Sequence, residues 1–198
     1  MTTKSTLDGM IIYLAGAMQT IKDGGVSYRR NFINKCKKSG LKLKFLDPTN
    51  KITGLTADVD KEKGRIDKYQ NTEDWESLRL LMKKIVRQDL RQVDLSDMVI
   101  AFIDTQYFTC GTIEEVINAE RQKKLVLIIS EGGKKKCPAW LFGIIHYDYI
   151  FDSEEELIQY LLDMNTGNIP LNDKLILFRK EHKSNNGFSI ILNDLNNK

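Results

Sequence analysis

Residues 97–130 read DMVIAFIDTQYFTCGTIEEVINAERQKKLVLIIS. Two uniformly apolar runs, MVIAFI closed by Asp104 and LVLIIS at 125–130, flank GTIEEVINAERQKK, whose apolar residues recur at helical spacing. An apolar run that is not alternated with polar residues is a strand covered on both faces, which is the condition of a parallel sheet. The stretch is therefore a strand–helix–strand unit, and its crossover should be right-handed.

The same alternation extends in both directions. Upstream, MIIYLAG at 10–16 is a buried strand ending in a turn at Gly16. In GVSYRRNFINKCKK, residues 25–38, Tyr28, Phe32 and Ile33 fall at helical spacing, and Gly40 stops the helix. LKLKFLDP alternates apolar and charged residues, as an edge strand does, and Pro48 ends it. Residues 49–70 carry Gly54, Gly64 and many charges with little periodicity, which predicts a long loop, either a lid or an insertion without a role. NTEDWESLRLLMKKIVRQDLRQVDLSD is a strong amphipathic helix in which Trp75, Leu78, Leu81, Met82, Ile85 and Leu90 form the core face, with room for a break near Arg87–Asp89. Downstream come a loop with a helical turn (GGKKKCPAWLFGIIH), a fifth strand (YDYIF) and a last helix (SEEELIQYLLDM). The expected fold is α/β and flavodoxin-like (Rossmann-like), a five-stranded parallel sheet in order 2-1-3-4-5 with helices on both faces. Residues 1–165 make up that domain, including the 49–70 loop, and 166–198 form a tail in which LILFRK and FSIIL could be short strands.

Composition excludes several classes. Lys and Arg number 30 against 27 Asp and Glu, a net charge of +3 that is too small to argue for nucleic acid. Cys36, Cys110 and Cys137 are far apart, and His146 and His182 are the only histidines, so neither a disulfide framework nor a metal site is expected. No apolar stretch reaches the roughly 18–20 residues of a membrane span, and the N-terminal residues lack a signal-peptide core. A cytoplasmic protein without a cofactor is the expectation.

In this strand order a ligand crevice opens at the carboxyl ends of the first and third strands. One lip is GAMQTIKDGGVSYRR, where Gly16, Gly24 and Gly25 either let backbone approach a ligand, with Gly16, Ala17 and Met18 as the binding segment, or only make a flexible turn, and Arg29 or Arg30 either reaches a phosphate or faces solvent. The other lip is DTQYFTCGT, where Asp104 either meets ligand hydroxyls or only caps its strand, and Gly111 and Thr112 open the next helix. No GxGxxG or Walker pattern is present, so a dinucleotide or triphosphate is not implied. Tyr13, Tyr28, Trp75, Tyr107, Phe108 and Trp140 are the aromatic candidates to hold a base. Most read as core, whereas Trp140, after Pro138, reads as pocket wall.

Thr112 followed by Glu115 is a capping box, and Ser153 with Glu156 repeats the pattern. Capping alone explains the local sequence. The position of the helix, at the switch point, adds a second reading, in which the helix dipole favours an ionised Glu115 able to act as a nucleophile. Asp89, late in the long helix, would supply a second carboxylate.

The order and spacing of IYLAGAM at 12–18, QDLRQVDLSDMVIAFID at 88–104 and GTIEEVINAERQKKLVLII at 111–129 resemble the nucleoside 2-deoxyribosyltransferase family, with its deoxynucleoside 5'-monophosphate N-glycosidase relatives. The resemblance implies cleavage of the N-glycosidic bond of a (2'-deoxy)nucleoside or its 5'-monophosphate through a glycosyl–glutamate ester. It selects Glu115 rather than Glu114 as nucleophile and Asp89 for substrate contact and proton handling. It further implies a nucleotide-salvage role and a homo-oligomer. A helper aspartate of the transferases is replaced by Thr109, and neither the 49–70 loop nor the tail follows the family. The alternative is a non-catalytic nucleotide-binding or sensing domain on the same fold.

Overall fold

The structure is a computed structural model that describes residues 6–50, 59–107 and 109–175. Five strands, β1 (Ile11–Gly16), β2 (Lys44–Leu46), β3 (Met98–Ile103), β4 (Leu125–Ser130) and β5 (Ile150–Phe151), form one sheet in the order β2-β1-β3-β4-β5. Every pairing is parallel. The fold is flavodoxin-like, and the three six-residue strands occupy its centre.

Side-chain alternation splits the core into two layers. Ile12 and Leu14 of β1 face α1 (Val26–Lys38) and α5 (Glu154–Thr166), packing with Phe32, Leu157 and Leu161. Tyr13 and Ala15 face α3 (Trp75–Leu95) and α4 (Cys110–Arg121), packing with Val93, Val116 and Ala119. Each helix start has a local cause. Asp23 accepts from the amides of Gly25 and Ser27 ahead of α1, Asp74 caps α3 through Ser77, and Ser153 caps α5 through Glu156. Glu156 reaches back to the amide of Asp152, so the capping pattern expected there is formed with a one-residue offset.

Three expectations are corrected. The 49–70 stretch is not one loop, because α2 runs Val59–Asn71 and carries Gly64 inside it; residues 51–58 lie outside the described residues. Glu62 and Ile66, one helical turn apart, are buried while most of the helix is exposed. So few inward positions leave hardly any periodic signal, and packing on α3 decides the conformation. Second, Trp75 is not core: it is 59% exposed in the first turn of α3, and Leu81 takes the buried position. This helix reaches the sheet layer with its carboxyl half, through Val93, so its amino-terminal apolar residues have less to pack against. Third, α3 is continuous, with no break at Arg87–Asp89. The possible strands LILFRK and FSIIL lie, but for Leu175, outside the described residues. Residues up to Leu175 pack on the body, Leu175 in the α1/α5 layer and Lys174 on Glu120 of α4. Among the described residues no helix is long and apolar enough to cross a membrane.

Candidate active site

β1 and β3 lie side by side, and the helices that follow them go to opposite faces of the sheet. Their carboxyl ends therefore diverge into a crevice, with residues 17–25 on one side and the turn from Asp104 into α4 on the other.

Helix α4 starts earlier than its sequence pattern suggests. Its N-cap is Thr109, whose side chain makes no capping bond, and Thr112 sits buried in the first turn. The Thr112–Glu115 capping box is therefore overturned. Glu115 falls in the second turn and makes no use of the helix-end amides. Its Oε1 instead accepts a 2.7 Å hydrogen bond from the phenol of Tyr13, in the middle of β1. Glu114, the next residue around the helix, is exposed.

The electrostatics of Glu115 also differ from the expectation of an ionised carboxylate at a helix start. The residue retains some exposure, yet the protein around the carboxylate pushes its pKa up to about 8, with burial as the main cause. The Tyr13 hydrogen bond pulls downward, the charge of Asp89 pushes upward, and Arg29 pulls downward. Burial wins because α4's dipole acts chiefly within its first turn, which Glu115 has left. Tyr13 is held well above the usual phenol range by burial and by the charges of Glu115 and Asp89. Asp89 thus acts on both members of the pair from α3, and its Oδ1 is buried. Two acidic groups in one another's field, with the pKa of one pushed upward, are a recurring arrangement for acid–base work.

The first lip is built from backbone. Gly16 O accepts from Arg29 Nη2 at 2.8 Å, Ala17 O from the Tyr28 hydroxyl at 3.1 Å, and Met18 O from the amide of Ile21 at 3.2 Å. A Cβ on Gly16 would lie 2.3 Å from the Tyr28 oxygen, so only glycine allows this closeness. Arg29 is fully buried with its nitrogens engaged on backbone, which overturns its reading as a phosphate-reaching side chain; Arg30 is exposed.

On the second lip Asp104 uses Oδ1 to accept from the amide of Gln106, shaping the turn, and borders a cleft of about 390 Å³. Ala17, Tyr28, Phe102 and Ser130 also line that cleft. Gly111 is exposed in the first turn of α4, with open space where a Cβ would project. Trp140 is not a wall of this cleft. It stands 77% exposed on a short 3-10 turn, Ala139–Gly143, in which Leu141 takes the inward position. Phe108 lies outside the described residues. Among the described residues no cluster of His, Cys, Asp and Glu could hold a metal ion.

Ala17 and Asp104 thus border the cleft, whereas Glu115 and Asp89 do not line it and are linked to each other and to Tyr13 in the layer between β1, α3 and α4. Tyr13, in sequence one of the aromatic candidates to hold a base, instead uses its hydroxyl on Glu115, a contact that leaves no pattern because inside an apolar run the ring reads as core.

No protein-family model and no curated protein matches the chain. Solved structures do match it in fold. A 2-deoxyribosyltransferase from the psychrotolerant bacterium Bacillus psychrosaccharolyticus has TM-score 0.50 and 14% identity, over 76% of this chain and 91% of that one. A conserved protein from Enterococcus faecalis V583 has TM-score 0.50 and 16% identity, over 78% and 98%. A CMP N-glycosidase from Clostridium botulinum has TM-score 0.42 and 16% identity, over 76% and 97%. At these identities the likeness is one of fold.

Proposed function

We propose that this chain belongs with the nucleoside 2-deoxyribosyltransferases and cleaves the N-glycosidic bond of a (2'-deoxy)nucleoside or its 5'-monophosphate, with Glu115 as nucleophile. The observation that carries the reading is the Tyr13–Glu115 hydrogen bond at the switch point, with Asp89 acting on the pair. A glutamate in a helix's second turn that makes no cap, is pulled inward and is oriented by a buried phenol is placed for chemistry rather than for helix stability. The fold shared with a 2-deoxyribosyltransferase supports the same reading.

In the first step an ionised Glu115 oxygen attacks the anomeric carbon. The C–N bond breaks with its electron pair going to the base, which takes up a proton from Asp89 or water, and a glycosyl ester remains on Glu115. In the second step a nitrogen of another base, or water, attacks the same carbon, loses a proton, and returns the carboxylate. Tyr13 donates to the carboxylate in the free enzyme and holds the oxygen that is not attacking. A base as acceptor makes the protein a transferase, and water makes it a hydrolase. The two lips would cover the sugar, with Gly16–Met18 on one side and Asp104, Gly111 and Thr112 on the other.

The test is a panel of nucleosides and 5'-monophosphates, with and without a second free base, followed by chromatography of released and exchanged base. Base release or exchange by the wild type, lost in Glu115→Gln, is the expected result. Saturable binding without turnover between pH 6 and 9 would replace the enzyme by a sensing domain.

A further inference from the structure

Arg29 is 0% exposed, and the chemistry above makes no use of it. A buried guanidinium is costly unless its donors and its charge are both met. Here Nε donates to Leu14 O at 3.1 Å, Nη2 to Gly16 O at 2.8 Å and Nη1 to Gly25 O at 3.1 Å. Asp47, just beyond β2, lies 3.9 Å from Nε, and the Tyr28 ring lies 4.7 Å from Cζ. The three carbonyls span the end of β1 and the far end of the first lip, so one side chain ties both ends of that lip together. Two glycines make the space: a Cβ on Gly25 would sit 2.4 Å from Nη1, and one on Gly16 would sit 3.3 Å from Nη2.

Among the described residues the fully buried cations are Arg29 and Lys124, and Lys124 donates to carbonyls in the last turn of α3, Val93 O and Asp94 O. Arg29 is therefore the buried positive charge on the crevice side. The groups that act on Glu115 from the surrounding elements are Tyr13 of β1, Asp89 of α3, Arg29 of α1 and Glu114 of α4, and Asp47 faces Arg29 from beyond β2.

We propose that Arg29 is a positioning residue of the catalytic centre, which clamps the Gly16–Gly25 lip and supplies the buried cation on the crevice side that favours an ionised Glu115. The proposal rests on the reading of Glu115 as nucleophile. Its electrostatic half agrees with the sign of Arg29's effect, which eases ionisation of both Glu115 and Tyr13. Its clamping half follows from the forked geometry, which a lysine cannot reproduce.

The experiment follows the side-chain carboxyl carbon of Glu115 by NMR in full-length protein labelled in glutamate, with the resonance assigned by its loss in Glu115→Gln. Arg29→Met should raise the titration midpoint by about one pH unit or more, and Arg29→Lys should leave it near the wild-type value. Asp47→Asn, which removes an anion beside Arg29, should lower it. Base release should follow, with the pH limb moving in Arg29→Met and a reduced plateau with an unmoved limb in Arg29→Lys. A folded Arg29→Met protein in which Glu115 titrates as in wild type overturns the proposal. If that variant does not fold, an unmoved midpoint in Asp47→Asn does so instead. Movement of the NMR midpoints in a protein that releases no base from any substrate would retain Arg29's electrostatic role and reject the glycosidic reaction, so the two readings fail separately.

Discussion

The phenol of Tyr13 donates a 2.7 Å hydrogen bond to Oε1 of Glu115, joining the middle of the first strand to the second turn of the helix after the third. Both groups are acidic, and burial raises the pKa of both, so the bond ties together two protons that are hard to remove. A nucleophile held this way is largely protonated at neutral pH and gains its charge as the pH rises toward 8.

Tyr13→Phe removes the one hydrogen bond among the causes that lower the pKa of Glu115. The carboxyl should then ionise at still higher pH, and the rising limb of kcat/KM for base release should shift the same way. Hydrogen bonds to charged groups contribute about 1.5–3 kcal/mol, so activity at pH 7 should fall roughly 10- to 100-fold. A pH–rate profile of Tyr13→Phe that overlays the wild type would show that the contact has no part in catalysis.

Asp89→Asn acts with the opposite sign. Asp89's negative charge raises the pKa of Glu115, so its removal should move the limb to lower pH. If Asp89 holds the proton shared by the two carboxyls while Glu115 is ionised, and passes it to the departing base, the plateau should fall by about 10²–10⁴ for ordinary nucleosides. It should fall far less for substrates whose leaving group needs no proton. Steady-state profiles on both substrate types separate the two effects, and an equal loss on both would remove Asp89 from the proton path.

The βαβ core was legible in the sequence because its signal is local: six-residue apolar strands need no partner to be recognised. Glu115 could be singled out by resemblance, but its surroundings could not. Whether Thr109 or Thr112 caps α4 depends on how the chain leaves β3, and that one-turn difference decides if Glu115 faces the helix end or Tyr13. Arg29 and Arg30 are adjacent and alike in sequence, and only the packing of α1 on β1 buries the first and exposes the second. α2 leaves hardly any periodic signal because most of its surface is polar and tertiary contact holds it, and Trp140 points outward because neighbouring Leu141 takes the inward position.

The first lip should tolerate no side chain at its far end. Gly25 has φ 80°, and a Cβ there would meet Arg29 Nη1 at 2.4 Å and the backbone oxygen of Ala17 at 2.6 Å. Gly40, after α1, has φ 83° and nothing within 4 Å of the same point. Gly40→Ala should therefore cost only backbone strain, about 1 kcal/mol. Gly25→Ala adds crowding against a fixed carbonyl and a buried guanidinium, for about 2–5 kcal/mol in all. Denaturant melts of the two variants measure the difference, and equal losses would show that the lip relaxes at no cost.

Glu115→Gln and Glu114→Gln distinguish the nucleophile from its neighbour, since successive helical residues point about 100° apart and only Glu115 reaches Tyr13. Base release should fall by about 10³-fold or more in Glu115→Gln and stay within a few-fold in Glu114→Gln. Stability supplies an independent reading. The pKa of Glu115 is raised in the fold from an ordinary 4.5 to about 8, so the folded state holds the proton more tightly than the unfolded chain. Stability tied to this group is fully present below about pH 4.5 and is lost as pH rises through 8. Glutamine cannot ionise and can still accept from Tyr13. Glu115→Gln should therefore match the wild type near pH 4.5 and become progressively more stable than it up to about pH 8, by a few kcal/mol at most. Urea titrations at a series of pH values test this. If the difference between wild type and Glu115→Gln does not change with pH, the carboxyl is not buried as described, and the account of its poised ionisation fails even if the activity is lost.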